Sequence, residues 1–190
     1  MFRAKYCYSQ NWFIASEIIN KLVNILDTSK ENKMLEIGSF EGLSSVFFAD
    51  NFLNTPNSTL TCVDPFLTID CNDHKQYLQN NEEKTFDYNI SVCPNSSKIK
   101  VYKITSDDFF KINNKTYNFI YIDGCHEADF ILRDMENSFK ILETNGIMWM
   151  DDYGGGDGIK IKNTMNSFLE KHMGEYELIH SDYQLAIRKY

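Results

Sequence analysis

Apolar residues recur at helical spacing in four stretches of the chain. Isoleucine, leucine and valine return every three or four residues over residues 11–26, which predicts an amphipathic helix. The same period predicts helices over residues 43–52, 128–142 and 159–173. Each of these helices has an apolar face that the rest of the domain must cover.

Short apolar runs between the helices predict strands. Five of them alternate with helices, at residues 34–37, 60–63, 101–104, 119–122 and 147–150. Two more runs, at residues 175–181 and 183–190, predict an antiparallel pair at the C-terminus. The alternation favours an α/β fold, with a mainly parallel seven-stranded sheet, helices on both faces and an antiparallel C-terminal edge strand.

The chain length and one irregular stretch complete this outline. A chain of 190 residues suits a single domain, so we predict one domain over residues 1–190 with a helical lead-in over residues 1–32. Residues 65–98 are polar and irregular, and we expect one or two short helices there. This stretch would lie over the mouth of the sheet, where it is a candidate mobile lid.

Composition and charge argue against several classes of protein. No apolar run approaches the ~20 residues of a membrane-spanning helix, and the polar N-terminus gives no secretory signal. The cytoplasm is therefore the predicted compartment, and no membrane contact is expected. The net charge of −8 repels phosphate backbones, which argues against a nucleic-acid partner. Five scattered cysteines form no metal-binding pair and are expected to be reduced thiols.

The turn after the first predicted strand carries two glycines. Gly38 and Gly42 allow the backbone to turn tightly and to approach a ligand, because neither has a Cβ. Ligands of open α/β sheets bind beyond the carboxyl ends of the strands, where this turn lies. A dinucleotide-binding turn has a third glycine early in the helix, whereas this helix begins Leu43-Ser44-Ser45. The spacing argues against NAD or FAD and makes a nicotinamide oxidoreductase a distant alternative.

Acidic residues follow the second and third predicted strands. Asp64 can accept hydrogen bonds from both hydroxyls of a ribose, because one carboxylate offers two acceptor oxygens. Asp107 is a candidate third contact, and Phe109 or Phe110 could border an adenine ring. Taken singly, an aspartate after a strand is also a common helix cap, and a glycine turn is often only a turn. Their order along the chain favours a bound nucleoside.

Three carboxylates follow the fourth and fifth alternating strands. Asp123 ends one strand, and Asp151 and Asp152 end the next. Carboxylates in one cleft repel one another unless a cation compensates, and oxygen ligands of this kind suit Mg²⁺. Such an ion can hold two adjacent hydroxyls and lower the pKa of the one that reacts. A pair of caps at the end of the strand is the alternative for Asp151 and Asp152.

His126 lies three residues after Asp123, near the start of the next predicted helix. Its imidazole titrates near neutral pH and could take the proton of an acceptor hydroxyl, and Asp123 is the competing base. A packed or capping histidine is the alternative. The glycine-rich run 154–158 lacks the lysine and hydroxyl of a phosphate loop in register, so we predict a flexible loop on the acceptor side.

Three motifs make the chain resemble class I S-adenosylmethionine-dependent methyltransferases. They are LEIGSFEGLSS at the glycine turn, CVDPF after the second strand and ITSDDF after the third. The resemblance covers nearly the whole chain and implies a Rossmann-like fold with S-adenosylmethionine as cofactor. In that family the glycine turn meets the methionine and ribose, the acidic residue binds the ribose, and a polar residue after the third strand lies beside the adenine.

Carried onto this chain, the resemblance implies a set of cofactor-binding residues. They are Glu36, Gly38, Ser39, Phe40, Gly42, Ser44, Asp64, Pro65, Phe66, Ser106, Asp107 and Asp123. The chain departs from the family at Ser106, where many members have glycine.

The motifs IDGCH and DDY narrow the resemblance to metal-dependent O-methyltransferases of the sugar-tailoring (macrocin) type and the catechol or caffeoyl-CoA type. Those relatives place Mg²⁺ or another divalent ion at the positions of Asp123, Asp151 and Asp152. The catechol type has asparagine at the last of these positions, so Asp152 agrees with the sugar type. The catechol type also has a lysine base where this chain has His126.

The resemblance therefore implies methyl transfer to a small-molecule hydroxyl, on a sugar or a glycosylated compound, with Asp123 and His126 as the catalytic residues. A catechol or phenolic acceptor is the first alternative. A cofactor-binding partner subunit without catalysis is the second. The sequence leaves open whether the chain forms a homo-oligomer.

Overall fold

The computed structural model describes residues 5–13, 15–66, 81–155 and 158–190. Within these residues the strands are β1 (Lys33–Ile37), β2 (Thr59–Val63), β3 (Ile99–Tyr102), β4 (Tyr117–Ile122), β5 (Leu142–Met150), β6 (Tyr176–Ser181) and β7 (Leu185–Lys189). The helices are α1 (Ala15–Ile25), α2 (Leu43–Phe52), α3 (Glu82–Val92), α4 (Ser106–Ile112), α5 (Ala128–Ile141) and α6 (Gly158–Lys171). A short 3-10 helix spans Ser96–Lys98.

The seven strands form one sheet in the order β3-β2-β1-β4-β5-β7-β6. Strands β1 to β5 pair in parallel, and β7 pairs antiparallel with both β5 and β6. The chain moves outward from β1 to β3 and then crosses to β4 on the other side of β1. That reversal creates a crevice at the carboxyl ends of β1 and β4, where ligands of such sheets bind. The predicted mainly parallel sheet with an antiparallel C-terminal edge is confirmed.

Helices cover both faces of the sheet because side chains alternate between the faces along each strand. On β4, Phe119 and Tyr121 join the apolar cluster that contains residues of α1, α2 and α3. Ile120 and Ile122 join the cluster on the opposite face, with residues of α4, α5 and α6. No helix in the described part of the chain is long and apolar enough to cross a membrane.

Backbone hydrogen bonds continue past the ends of the central strands and hold the following residues side by side. Asp123 N donates to Ile37 O at 2.8 Å, and Asp151 N donates to Ile122 O at 3.0 Å. The first residues after β1, β4 and β5 therefore remain in register. This register brings the glycine turn and the acidic residues to one edge of the sheet.

Several element boundaries differ from the prediction. Strand β5 begins at Leu142, at the end of the helix predicted over residues 128–142 and before the strand predicted over residues 147–150. The helix predicted over residues 11–26 begins at Ala15, and residues 11–13 are not helical. Strand β3 lies two residues before the predicted 101–104, and α4 follows it. Helix α4 begins there because the Thr105 hydroxyl accepts a hydrogen bond from Asp108 N at 3.1 Å, which caps the first turn. Ser106 and Asp107 therefore lie in a helical turn.

The candidate lid at residues 65–98 is described only in part. Helix α3 and the 3-10 helix lie within it, which confirms short helices in this stretch. Residues 67–80 lie outside the described residues, as do residues 156 and 157 of the predicted acceptor-side loop.

Candidate active site

The turn between β1 and α2 requires glycine at its first position. Gly38 has a φ of 84°, and a Cβ built on it would lie 1.9 Å from the backbone oxygen of Asp123. Gly42 has a φ of 81° and packs against the ring of Phe86, 3.0 Å from where its Cβ would be. Phe40, between them, also has a positive φ of 46°. The turn is thus held against the loop after β4 at van der Waals distance.

Asp64 holds this turn from the end of β2. Its Oδ2 accepts hydrogen bonds from Ser39 N at 2.8 Å and Phe40 N at 2.9 Å. Its Oδ1 accepts a third, from Phe66 N at 2.7 Å. Burial raises the pKa of Asp64, and these backbone hydrogen bonds oppose the rise. Oδ1 accepts a single one of these hydrogen bonds, so it has room for a ligand hydroxyl.

Glu36 lies beneath the turn and is fully buried. Its carboxylate accepts hydrogen bonds from Ser39 Oγ at 2.7 Å, from Ser44 Oγ at 2.6 Å and from the hydroxyl of Ser45. Burial raises the pKa of Glu36, whereas the serine donors favour its charged form. Glu36 therefore ties the end of β1 to the start of α2.

Residues 5–13 form an N-terminal strap that is fixed to the turn through α3. The fully buried Asn89 accepts a hydrogen bond from Cys7 N at 2.8 Å and donates to Cys7 O at 2.7 Å. The same amide nitrogen donates to Glu41 O at 2.8 Å, and Glu41 Oε2 accepts from Ser9 N at 2.6 Å. These four hydrogen bonds anchor the strap beside the glycine turn.

Aromatic contacts carry the strap from the glycine turn toward the acidic residues. Trp12 stacks on Phe40, with ring centroids 5.1 Å apart. Phe13 meets the ring of Tyr121 edge-on at 5.9 Å. Two consecutive residues thus contact both halves of the site.

Asp123, His126 and Asp152 converge after β4 and β5. One potential ligand atom of each lies within 4.8 Å of the others, and all three side chains are half-buried. His126 Nε2 lies 2.8 Å from Asp152 Oδ2. Asp152 has a φ of 59°, a left-handed conformation that is uncommon for a residue with a side chain. Two carboxylates and an imidazole at this spacing form a set that a divalent ion can bind.

Asp151 is buried behind this group, and its oxygens accept hydrogen bonds from protein donors. Tyr121 Oη donates to Oδ2 at 2.6 Å, and Gln184 Nε2 and Asp152 N donate to Oδ1 at 3.0 and 2.9 Å. The structure brings Asp151 beside the other acidic residues, but it does not belong to the group of three converging ligand atoms. Its role as a metal ligand stays a prediction.

Ionisation is costly within this acidic group. Burial raises the pKa of Asp123 well above its usual value, and the neighbouring charges of Asp151 and Asp152 raise it further. Burial is also the main reason for the raised pKa values of Asp151 and Tyr121. A bound cation would relieve the repulsion among these carboxylates.

One cavity of about 770 Å³ contains both the glycine turn and the acidic group, a size typical of small-molecule sites. Of the predicted cofactor residues, all but Glu36, Gly42 and Phe66 line it, as do His126, Asp151 and Asp152. Glu36 does not reach the cavity because it is buried beneath the turn.

The region expected to hold adenine differs in detail from the prediction. Ser106 and Asp107 line the cavity, and Asp107 Oδ2 lies 3.2 Å from Arg133 Nη2. Phe109 is buried in the core, and neither it nor Phe110 lines the cavity. Both aromatic rings lie outside the cavity because residues 106–112 form helix α4, which was not predicted.

Several cavity residues are absent from the sequence prediction. They include Gln10, Asn11, Trp12 and Phe13 of the strap, Asp134 and Phe130 of α5, and Tyr183 between β6 and β7. Asp134 had a readable signal, since it stands three residues after Ile131 and next to Met135 on the apolar side of its helix. The strap residues and Tyr183 reach the site only through tertiary contacts, which periodicity does not reveal.

Cys125 lies in the loop between Asp123 and His126 and is disulfide-bonded. The prediction that the cysteines are reduced thiols is therefore wrong for this residue. Cys7, Cys62 and Cys93 are free.

A family model described as a methyltransferase domain matches residues 35–153, which include the glycine turn, Asp64 and the acidic group. The chain belongs to this methyltransferase family. The match confirms the family and the enzyme class that the sequence motifs implied. No curated protein matches the chain in sequence.

Solved methyltransferase structures share the fold at low sequence identity. A candidate rRNA methylase from Clostridium thermocellum superposes with a TM-score of 0.70 and 13% identity, over 92% of this chain and 94% of that one. An O-methyltransferase from Bacillus cereus in complex with SAH superposes with a TM-score of 0.68 and 11% identity, over 96% of this chain and 84% of that one. The O-methyltransferase TomG from Streptomyces achromogenes is involved in tomaymycin synthesis and was solved with SAM. It superposes with a TM-score of 0.65 and 14% identity, over 90% of this chain and 80% of that one. These similarities confirm the Rossmann-like methyltransferase fold.

Proposed function

We propose that this methyltransferase transfers the methyl group of S-adenosylmethionine to a hydroxyl of a small molecule with the help of a divalent ion. One observation carries the proposal. The glycine turn and the acidic group line the same cavity, and Gly38 packs against the backbone of Asp123. A methyl donor on the turn would therefore lie beside a hydroxyl held by the acidic group.

The donor half of the cavity suits a nucleoside with a positively charged sulfonium. Asp64 reaches the turn with one carboxylate oxygen that has room for a ribose hydroxyl. Ser106 and Asp107 line the far side, where the base would lie. The chain's net charge of −8 favours a cationic cofactor and disfavours a nucleic-acid acceptor. The SAM and SAH complexes of two proteins with this fold support the same cofactor here.

The acceptor half suits a divalent ion. Asp123 and Asp152 would supply the charged oxygens, and Asp151 would either bind the ion as well or support the other two carboxylates from its buried position. A bound ion would supply Lewis-acid chemistry and orient the acceptor hydroxyl. Mg²⁺ prefers oxygen ligands, whereas a transition-metal ion would also recruit the imidazole of His126.

The chain's own residues then move one proton. His126 or Asp123 accepts the proton of the acceptor hydroxyl as its oxygen forms a bond to the methyl carbon and the carbon–sulfur bond breaks. The products are a methyl ether and S-adenosylhomocysteine. The strap, with Trp12 and Phe13 lining the cavity, would limit the entry of water.

For the acceptor, we propose a sugar hydroxyl, because Asp152 matches the sugar-tailoring resemblance. A catechol is the second candidate, since the aromatic rings of Trp12, Phe13 and Phe130 line the cavity and can stack on a flat ring. The cytoplasmic location stays a prediction.

Turnover with and without chelator tests the proposal. The wild-type protein should bind S-adenosylmethionine in calorimetry and release S-adenosylhomocysteine with diol acceptors only when a divalent ion is present. Asp152→Ala should keep cofactor binding and lose this turnover, whereas Asp182→Ala, at an exposed turn position, should keep both. Sugar and catechol panels distinguish the two acceptor classes.

Full metal-dependent turnover by Asp152→Ala would show that the metal assignment is wrong. Cofactor binding without turnover on any acceptor would favour the non-catalytic subunit instead. Absence of cofactor binding would refute the donor assignment.

A further inference from the structure

The turn between β6 and β7 packs directly on the acidic loop that follows β5. Gly154 N donates a hydrogen bond to Tyr183 O at 2.8 Å. A Cβ on Gly154 would lie 2.8 Å from Asp182 O and 3.0 Å from Tyr183 Cα. The two backbones are therefore in contact, and only glycine fits at this point. The hairpin turn has a fixed position relative to the acidic loop.

Two consecutive residues of this hairpin hold two consecutive carboxylates. Tyr183 Oη donates to Asp152 Oδ1 at 2.6 Å. Gln184 Nε2 donates to Asp151 Oδ1 at 3.0 Å, while its own Oε1 accepts from Trp149 Nε1 at 2.8 Å. The fully buried Gln184 is thus locked by the core. Its neighbour Tyr183 lines the cavity with its side chain half-buried.

The side chain of Asp152 is held from two sides. Tyr183 contacts Oδ1, and His126 Nε2 lies 2.8 Å from Oδ2. The left-handed φ of 59° at Asp152 is a conformation that typically costs of order 1 kcal/mol or more, so it persists because its surroundings support it. The hydroxyl of Tyr183 is one such support.

We propose that Tyr183 is a positioning residue of the metal site, whose hydroxyl holds the carboxylate of Asp152 in the orientation that binds the ion. The inference rests on the proposed function. Groups that hydrogen-bond to metal ligands fix their orientation, and removing one typically weakens metal binding by about 10- to 100-fold. Tyr183 comes from the C-terminal hairpin, far in sequence from the motifs of the cofactor half.

Tyr183→Phe tests the inference because it removes one hydroxyl and keeps the ring. Mn²⁺ is titrated into the full-length protein saturated with S-adenosylmethionine, and affinity is measured by calorimetry and by the electron paramagnetic resonance of free Mn²⁺. We expect Mn²⁺ affinity to fall by about 10-fold or more, with the affinity for S-adenosylmethionine unchanged. Tyr176→Phe is the matched control: it makes the same change in the same hairpin, where Tyr176 Oη donates to Leu169 O at 3.2 Å.

The outcomes separate the inference from the proposed function. If the wild-type protein binds Mn²⁺ and Tyr183→Phe binds it equally well, the positioning role is refuted and the metal site stands. If Tyr176→Phe loses as much Mn²⁺ affinity as Tyr183→Phe, the effect belongs to the hairpin as a whole and the role of the hydroxyl is refuted. If the wild-type protein binds no Mn²⁺ with the cofactor present, the metal assignment itself fails.

Discussion

Asp134→Asn should raise the free energy of unfolding near pH 8 and leave it unchanged near pH 4. Asp134 lies on α5 with only 3% of its surface exposed. Burial raises the pKa of its carboxyl from 3.8 to about 6, although a hydrogen bond from Ser106 opposes the rise. The folded protein therefore carries a buried carboxylate at neutral pH.

The size and sign of the effect follow from this pKa. A shift of about 2 units corresponds to roughly 3 kcal/mol, at about 1.4 kcal/mol per unit. Below about pH 4 the carboxyl is protonated in both states, and the stability that it contributes is fully present. Between about pH 4 and pH 6 the unfolded chain releases its proton first, so this stability is lost as the pH rises through the folded pKa. Asparagine has the same shape and does not ionise, so it avoids the loss.

Urea unfolding of the wild type and of Asp134→Asn at a series of pH values measures the gap between their free energies of unfolding. We expect a gap near zero at about pH 4 that opens to as much as about 3 kcal/mol at about pH 8. Asp129→Asn, at an exposed position of the same helix, should show no comparable opening. A gap that is constant with pH, or that closes as the pH rises, would refute the reasoning.

Two further substitutions test the contacts around the glycine turn. Gly38→Ala should lower the melting temperature far more than Gly174→Ala. Both glycines have a positive φ, but a Cβ on Gly38 would meet the backbone of Asp123, whereas a Cβ on Gly174 would have nothing within 4 Å. Equal decreases in melting temperature would contradict the importance of the contact at Gly38. Asn89→Ala should lower the free energy of unfolding by roughly 1–3 kcal/mol and speed hydrogen exchange in the strap. Unchanged exchange there would show that Asn89 does not anchor it.

The central sheet was predictable because its strands are short, mostly apolar runs that are buried on both faces. Met34–Ile37 and Phe119–Ile122 are buried runs between turn residues, so the apolar run and the residues that flank it both indicate a strand. Helix α4 was not predicted, because it has only seven residues and its start depends on the cap at Thr105. Residues 11–13 of the strap were predicted as helix because their sequence continues the apolar period of α1. In the structure the strap is held instead by Asn89, whose side chain pairs with the backbone of Cys7.

The candidate site also contains residues that could be predicted from the sequence and residues that could not. Residues that directly follow a strand, such as Asp64 and Asp123, were predictable because parallel strands bring their carboxyl ends together. Tyr183 was not, since its place depends on the pairing of β6 with β7 and on the contact at Gly154. The separate arrangement of Asp151 also depends on partners that are distant in sequence, Tyr121 and Gln184.

The contact between Gly38 and the backbone of Asp123 limits how this site can diversify. A change in the glycine turn that accommodates a different donor would displace the loop that carries Asp123. The strap also contacts the glycine turn, since Ser9 N donates to Glu41 Oε2 and Trp12 stacks on Phe40, and the β6–β7 hairpin contacts the acidic loop at Gly154. Both segments are therefore tied to the site. Variation in acceptor range is easiest at cavity residues outside them, and engineering of new acceptors should begin with Phe130 of α5.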